Sequence, residues 1–419
     1  MVNIDYKKIY DNVSCMFVES GDFKTNYITL NITTNLNRKT VTENALLPLV
    51  LKTSSSKYPK PMDLEKKLQT LYGASLSADA FKSGEKQILS FYISMPCSKY
   101  LPEDIDNEAL QILLDAVFSP YIKNESFNEK YTMLQKSVLK EKIRSVINDK
   151  AQYALCSMID LMFEGEPFSI RSDGYEEDLD SITPATLYSR YKALISAARF
   201  DLIFAGNFNK ENMLTCVKKA FENRSGKAEP VNPEQKHIFT GVKRKEEKMD
   251  VVQGKLVLGF STGISIRDKN YYDLVLANAV LGVGANCKLF RGVREKHSLC
   301  YYCSSSLLAQ KGAMYIKSGI EPKDKQAALE LILEQVEEVK SGNITDEEIY
   351  NSKKSYTNTL LELSDNLSSL GDYYFSNYLD GITMTVDEII SKINSVKKED
   401  IIKAFANIKL DSEYFLTAK

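Results

Sequence analysis

The same order of elements is written twice along this chain, and the repetition limits its possible folds more than any single motif does. In the first copy, residues 27–33 alternate apolar and polar, with Ile28, Leu30 and Ile32 on one face, as a half-buried strand does. An apolar stretch over 44–51 leads through a Ser/Lys/Pro loop to a helix marked by Leu64, Leu68 and Leu71 and closed by Gly73. A hairpin is expected over 75–95, turning at 82–85. Helices follow over 107–121 and 129–162, the second broken near Asn148, and a helix at 187–198 feeds a strand at 200–205. The second copy repeats this with a strand at 255–261, helices at 271–281 and 287–295, and a hairpin over 299–319. Long helices at 325–339 and 345–373 come next, and 400–406 feeds a last strand at 413–417. Ile28 then matches Leu256, and Leu187 matches Ile401. The pattern predicts an α+β chain of two homologous domains, 1–222 and 241–419, each an antiparallel sheet packed against helices. The linker, 223–240, carries Gly226, Pro230 and Pro233. The charge run 243–248 that follows it reads as a solvated segment.

Bulk properties exclude several classes. A net charge of −2 argues against nucleic acid or an anionic membrane as partner. The longest uncharged apolar run, 274–285, is too short to span a bilayer, and the first residues lack the apolar core of a signal peptide. Seven irregularly spaced cysteines fit a reducing cytoplasm better than a disulfide framework. Only two histidines, His237 and His297, are present.

The richest stretch is Lys288-Leu-Phe-Arg-Gly-Val-Arg-Glu-Lys-His-Ser-Leu-Cys-Tyr-Tyr302, a short helix running into a strand and preceded by a loop holding Gly282 and Gly284. Leu289 and Val293 share one helix face. The stretch resembles the “LGGG-x-SSRLF-x-x-VREKRGLAY” segment in the second domain of pitrilysin/insulinase-type zinc peptidases. Residues 71–78 similarly resemble that family's “LGGSFNA” strand entry. The resemblance implies that Arg294 and Tyr301, with Gly282 and Gly284, form a substrate-binding set. In that family, zinc is held in the first domain by His-x-x-Glu-His and a distant Glu, with the motif Glu as general base. Here the register places Asn44 and Pro48 at the ligand positions, Leu47 at the base and Glu141 at the third ligand. Two histidines this far apart cannot form His-x-x-Glu-His anywhere in the chain. A Pro at 48 also suggests that the helix starts later than in active relatives. No cofactor is therefore expected.

The size is similar to that of a bacterial branch, the YfmF-type elongation-factor-P aminopentanol-modification-associated proteins, encoded beside a zinc-bearing paralogue. The resemblance implies a subunit inactive by itself, paired with such a zinc-bearing paralogue or with itself, that completes a chamber for a peptide substrate. A stand-alone peptide-binding or scaffold protein stays open beside it. His297, Cys300 and Cys303, with Cys287 nearby, have zinc-like spacing, but odd spacing in a strand puts Cys300 and Cys303 on opposite faces. Gly282-Val-Gly284 lacks the third glycine and the acidic residue of a dinucleotide site.

Overall fold

The computed structural model describes residues 3–222 and 229–419. The first part of the expected linker, 223–228, lies outside the described residues, and 229–240 form neither helix nor strand. The strands are β1 (Asn3–Tyr10), β2 (Val13–Glu19), β3 (Thr25–Asn35), β4 (Ser75–Ser83), β5 (Lys86–Pro96), the small hairpin β6 (Ile122–Lys123) and β7 (Ser126–Phe127), and β8 (Arg199–Gly206). The second series is β9 (Lys243–Met249), β10 (Gly254–Ser261), β11 (Cys300–Leu308), β12 (Ala313–Ile320) and β13 (Lys409–Ala418).

One sheet runs β1-β2-β8-β3-β5-β4 and the other, read from its far edge, β9-β13-β10-β12-β11. Without β1, the two orders are the same. Each sheet is antiparallel except for one matching parallel pair, β2 with β8 and β9 with β13. The duplication expected from sequence is therefore present down to strand order.

Two features differ from the sequence reading. The charge run 243–248 is largely solvent-exposed, as expected, but it lies in the edge strand β9 rather than in a loop. Its backbone pairs with β13, while Arg244 meets Glu413 at 3.1 Å and Lys325 meets Glu246 at 3.1 Å. Charged side chains suit an edge strand because they discourage further strand addition. The strands β1 and β2 were not foreseen at all.

The chain forms two compact units that are not simple halves. One holds the residues up to Arg144, Ile170–Asn232 and Asn366–Ser376. The other holds Ser145–Ser169, Pro233–Asp365 and Asn377–Lys419. They differ from the expected domains 1–222 and 241–419 by two exchanged helical segments. Helix Lys150–Met162, from the first copy, buries Met158 and Met162 in a cluster with Val257, Tyr414 and Leu416 of the second sheet. Gly259 of β10 leaves room for it, since a Cβ there would lie 2.7 Å from the Met162 sulfur. Conversely, Gly371, in the segment 366–376, lies against Ile203 and Ala205 of β8. The break expected near Asn148 frees the first of these helices: Glu129–Ser145 ends in a 3₁₀ turn, and Asp149 caps the new helix by accepting from the amides of Ala151 and Gln152.

Candidate functional site

In the first unit, helix Val41–Leu51 carries Asn44, Leu47 and Pro48, the residues that the resemblance sets at the zinc-motif positions. It starts well before Pro48, contrary to the expectation of a late start. Pro48 sits in its interior and has no N–H to give the Asn44 carbonyl, a costly arrangement. Ten of the eleven helix residues are buried against the first sheet and neighbouring helices, which offsets that cost. Asn44 is 0% exposed. Its Nδ2 donates to Gln87 Oε1 at 2.9 Å, and its Oδ1 accepts from Arg190 Nε at 2.8 Å. Gln87, also fully buried, donates to the Val41 carbonyl at 3.0 Å and the Ser172 carbonyl at 2.9 Å. Leu47 and Pro48 are buried and offer no donor atom.

Glu141, on helix Glu129–Ser145, has a side chain 76% exposed and 3.9 Å from the Arg144 guanidinium. Lys142 beside it reaches Asp79 of β4 at 2.7 Å. These residues do not fit a zinc ion. The one polar side chain at the motif positions is spent on neighbours, the other two lack lone pairs, and among the described residues no three His, Cys, Asp or Glu are arranged to hold a metal. The purified chain is expected to hold far less than one zinc per molecule by elemental analysis after dialysis. One tightly held equivalent would contradict the register.

In the second unit, helix Tyr271–Gly282 leads to the motif helix. Gly282 is buried: a Cβ there would lie 2.3 Å from Ser305 Oγ of β11, so this glycine lets the helix lie directly on the strand. Gly284, exposed at φ +81°, turns the chain away. Lys288 forms a nearly buried ion pair with Glu348 at 3.1 Å, which pins the motif helix to the first turn of helix Asp346–Leu363. Leu289 and Val293 are fully buried, as the shared face predicted. Residues Phe290–Glu295 widen into a π-helical turn, a distortion common at functional sites.

Arg294 is exposed, its guanidinium 4.7 Å from the Phe290 ring centre. Tyr301 is 60% exposed and its hydroxyl donates to Glu321 at 3.0 Å; that hydrogen bond and the carboxylate charge raise its pKa. Arg294 and Tyr301 are thus both presented at the surface, whereas Gly282 faces the interior.

Cys300 and Cys303 do not point to opposite faces. A bulge in β11 pairs Cys300 with Ile320 but Tyr302 with Gly319 and Cys303 with Ser318, and both cysteines are buried. The extra residue restores the common face that plain alternation would deny. The Cys303 thiol, together with Ser318 and the Arg294 charge, outweighs burial and lowers the Cys300 pKa, while the pair interaction and burial push Cys303 up.

The sequence reading missed a second polar cluster in this unit. The His237 ring bonds Glu166 through Nδ1 and Asp411 Oδ2 through Nε2 at 3.0 Å, and its backbone N–H donates to the Lys311 carbonyl. Lys311, fully buried, reaches Glu166 at 2.8 Å. Burial opposes a charged His237, but hydrogen bonds to Asp411 and Glu166 win and raise its pKa to about 9. No local spacing could have revealed four residues so far apart in the chain.

A family model described as the peptidase M16 inactive domain matches residues 181–356. Over 98% of its length the chain is 32% identical to the “Probable inactive metalloprotease YmfF” of Bacillus subtilis, covering 97% of that protein. The chain belongs to the peptidase M16 family. Like YmfF it is an M16 chain of the inactive kind. It is also 28% identical to the “Uncharacterized zinc protease YmxG” of the same organism, over 70% of this chain and 71% of that one. A conserved protein from Enterococcus faecalis V583 superposes over 100% of this chain and 99% of its own, with a TM-score of 0.92 at 26% identity. The peptidase M16 inactive domain from Pseudomonas fluorescens shares the fold, with a TM-score of 0.80 at 14% identity over 100% of this chain and 98% of its own. Among the described residues, no helix is long and apolar enough to cross a membrane.

Proposed function

We propose that this M16 chain is the non-catalytic subunit of a two-chain peptidase, pairing with a zinc-bearing paralogue and completing its peptide-binding chamber in the cytoplasm. One asymmetry carries the reading. The motif positions 44, 47 and 48 are closed and metal-incompetent, while Arg294 and Tyr301 stand exposed on the other unit. In the pair, Arg294 grips a peptide carbonyl or carboxylate through its planar donors. Tyr301 would leave Glu321 and donate to the negative charge that develops on the peptide carbonyl oxygen, while a zinc held by the partner would activate water. Two observations support it: Bacillus subtilis carries both an inactive-type and a zinc-protease relative of this chain, and all seven cysteines stand as free thiols.

The test mixes the purified chain with the zinc-bearing M16 paralogue from its own source. An equimolar complex by size-exclusion chromatography, with zinc in the partner alone and peptidase activity above that of either chain, is expected. Separate elution with unchanged activity would sink the proposal and leave the stand-alone peptide-binding scaffold.

A further inference from the structure

We infer that Arg190 is the resident cation of the former metal position: its guanidinium ties that position together and bars a divalent ion from it. The metal half of this inference rests on the reading of Asn44 as a former ligand position; the structural half does not.

The hydrogen bonds form a directed chain. Arg190 Nε donates to the Asn44 oxygen, the Asn44 amide donates to the Gln87 oxygen, and the Gln87 amide donates to the carbonyls of Val41 and Ser172. Four segments are joined: helix Val41–Leu51, β5, the loop at Ser172, and helix Pro184–Ala197, which carries Arg190. The direction matters. A guanidinium has donors only, so it fixes which face of the Asn44 amide is the acceptor, and every later amide in the chain follows. A metal ion organises its ligands by the same polarity, since it too demands lone pairs.

The Asn44 oxygen is already engaged by the Arg190 guanidinium, a group that is always charged. A dication brought to the fully buried Asn44 would meet that guanidinium within a few ångströms, where the two charges repel. The Asn44 oxygen would also have to abandon Arg190, leaving a half-buried guanidinium N–H without that partner. Loss of the motif residues alone would leave a weak site; Arg190 converts it into an opposed one.

The inference is tested in the full-length chain by two independent readouts. Thermal unfolding compares wild type with Arg190→Met, which keeps much of the stem and removes the donors, and with Arg190→Lys. The Met variant is expected to melt roughly 5–10 °C lower, with Lys recovering only part of the loss because it lacks the Nε donor. An unchanged melting temperature in Arg190→Met would overturn the structural half.

Zinc affinity, measured by competition with a chromophoric chelator, compares Asn44→His/Leu47→Glu/Pro48→His with the same graft plus Arg190→Met. The graft lacking Arg190 should bind at least about tenfold tighter. Equal, measurable affinities would overturn exclusion by charge. If neither graft binds zinc, the register that makes Asn44 a former ligand falls, and the metal half falls with it. In that case the melting data still decide the structural half.

Discussion

Replacing Tyr301 by Phe is expected to lower peptide turnover by the mixed pair about a hundred- to a thousand-fold, the usual cost of one lost oxyanion donor. The change removes a single hydroxyl and leaves the ring, which is 60% exposed at the β11 bulge, so neither the fold nor pairing should suffer. In the free chain that hydroxyl is held by Glu321 at 3.0 Å. Glu321→Gln weakens the competing acceptor and should not reduce turnover. Arg294→Ala should weaken peptide binding as well as slow turnover, because the exposed guanidinium, lying over the Phe290 ring, would grip the peptide directly. Neighbouring Lys296 is exposed, and Lys296→Ala should change little. The measurement is steady-state cleavage of a model peptide by mixed wild-type and variant pairs, with complex formation checked by chromatography. Full activity with both Tyr301→Phe and Arg294→Ala would reduce this subunit to a wall of the chamber.

The largest effect on stability is expected from the buried His237 cluster. His237→Ala leaves Asp411, whose side chain is 2% exposed, without its ring partner and removes one of two partners from Glu166. Breaking a buried charged pair on one side costs roughly 3–5 kcal/mol, which for a unit of this size lowers the melting temperature by about 10 °C. The cluster also sets a pH dependence. The folded His237 pKa, about 9, lies above the ordinary value of 6.5. Its contribution is therefore complete below about pH 6.5 and is lost as pH rises through about 9. Glu166 behaves oppositely: burial would raise its pKa, but hydrogen bonds from His237 and Lys311 lower it below 4.5. Its contribution is therefore present above that value and fades as pH falls. Melting temperature should thus be highest in mildly acidic solution and fall toward pH 9, and His237→Gln should flatten the alkaline side. A wild-type melting temperature that does not fall between pH 6.5 and 9 would contradict the linkage.

Periodicity was enough for the elements whose burial is one-sided. β3, with Ile28, Leu30 and Ile32 inward, and the motif helix, with Leu289 and Val293 inward, have one face on the core, and one face leaves a regular trace in sequence. β9 left a misleading trace. An edge strand covered by little else needs no apolar face, so its Lys and Glu residues read as a loop until backbone pairing with β13 is seen. Helix Val41–Leu51 is buried nearly all round, and that burial tolerates an interior proline which local propensity would place at a helix start. The cysteine pair was misjudged for a similar reason: alternation assumes a regular strand, and the β11 bulge shifts it by one residue.

The sequence alone determined the duplication, that no His-x-x-Glu-His motif can be written, and that Arg294 and Tyr301 stand seven residues apart, because each is a matter of which residue stands where. Tertiary structure decided three other things: which sheet each long helix covers, that Gly282 serves packing while Arg294 and Tyr301 face outward, and that Arg190 occupies Asn44. The physical reason is distance along the chain. Arg190 and Asn44 are 146 residues apart, and His237 and Asp411 are 174 apart. Hydrogen bonds between such residues follow from the packing of whole elements, so no window of sequence contains both partners.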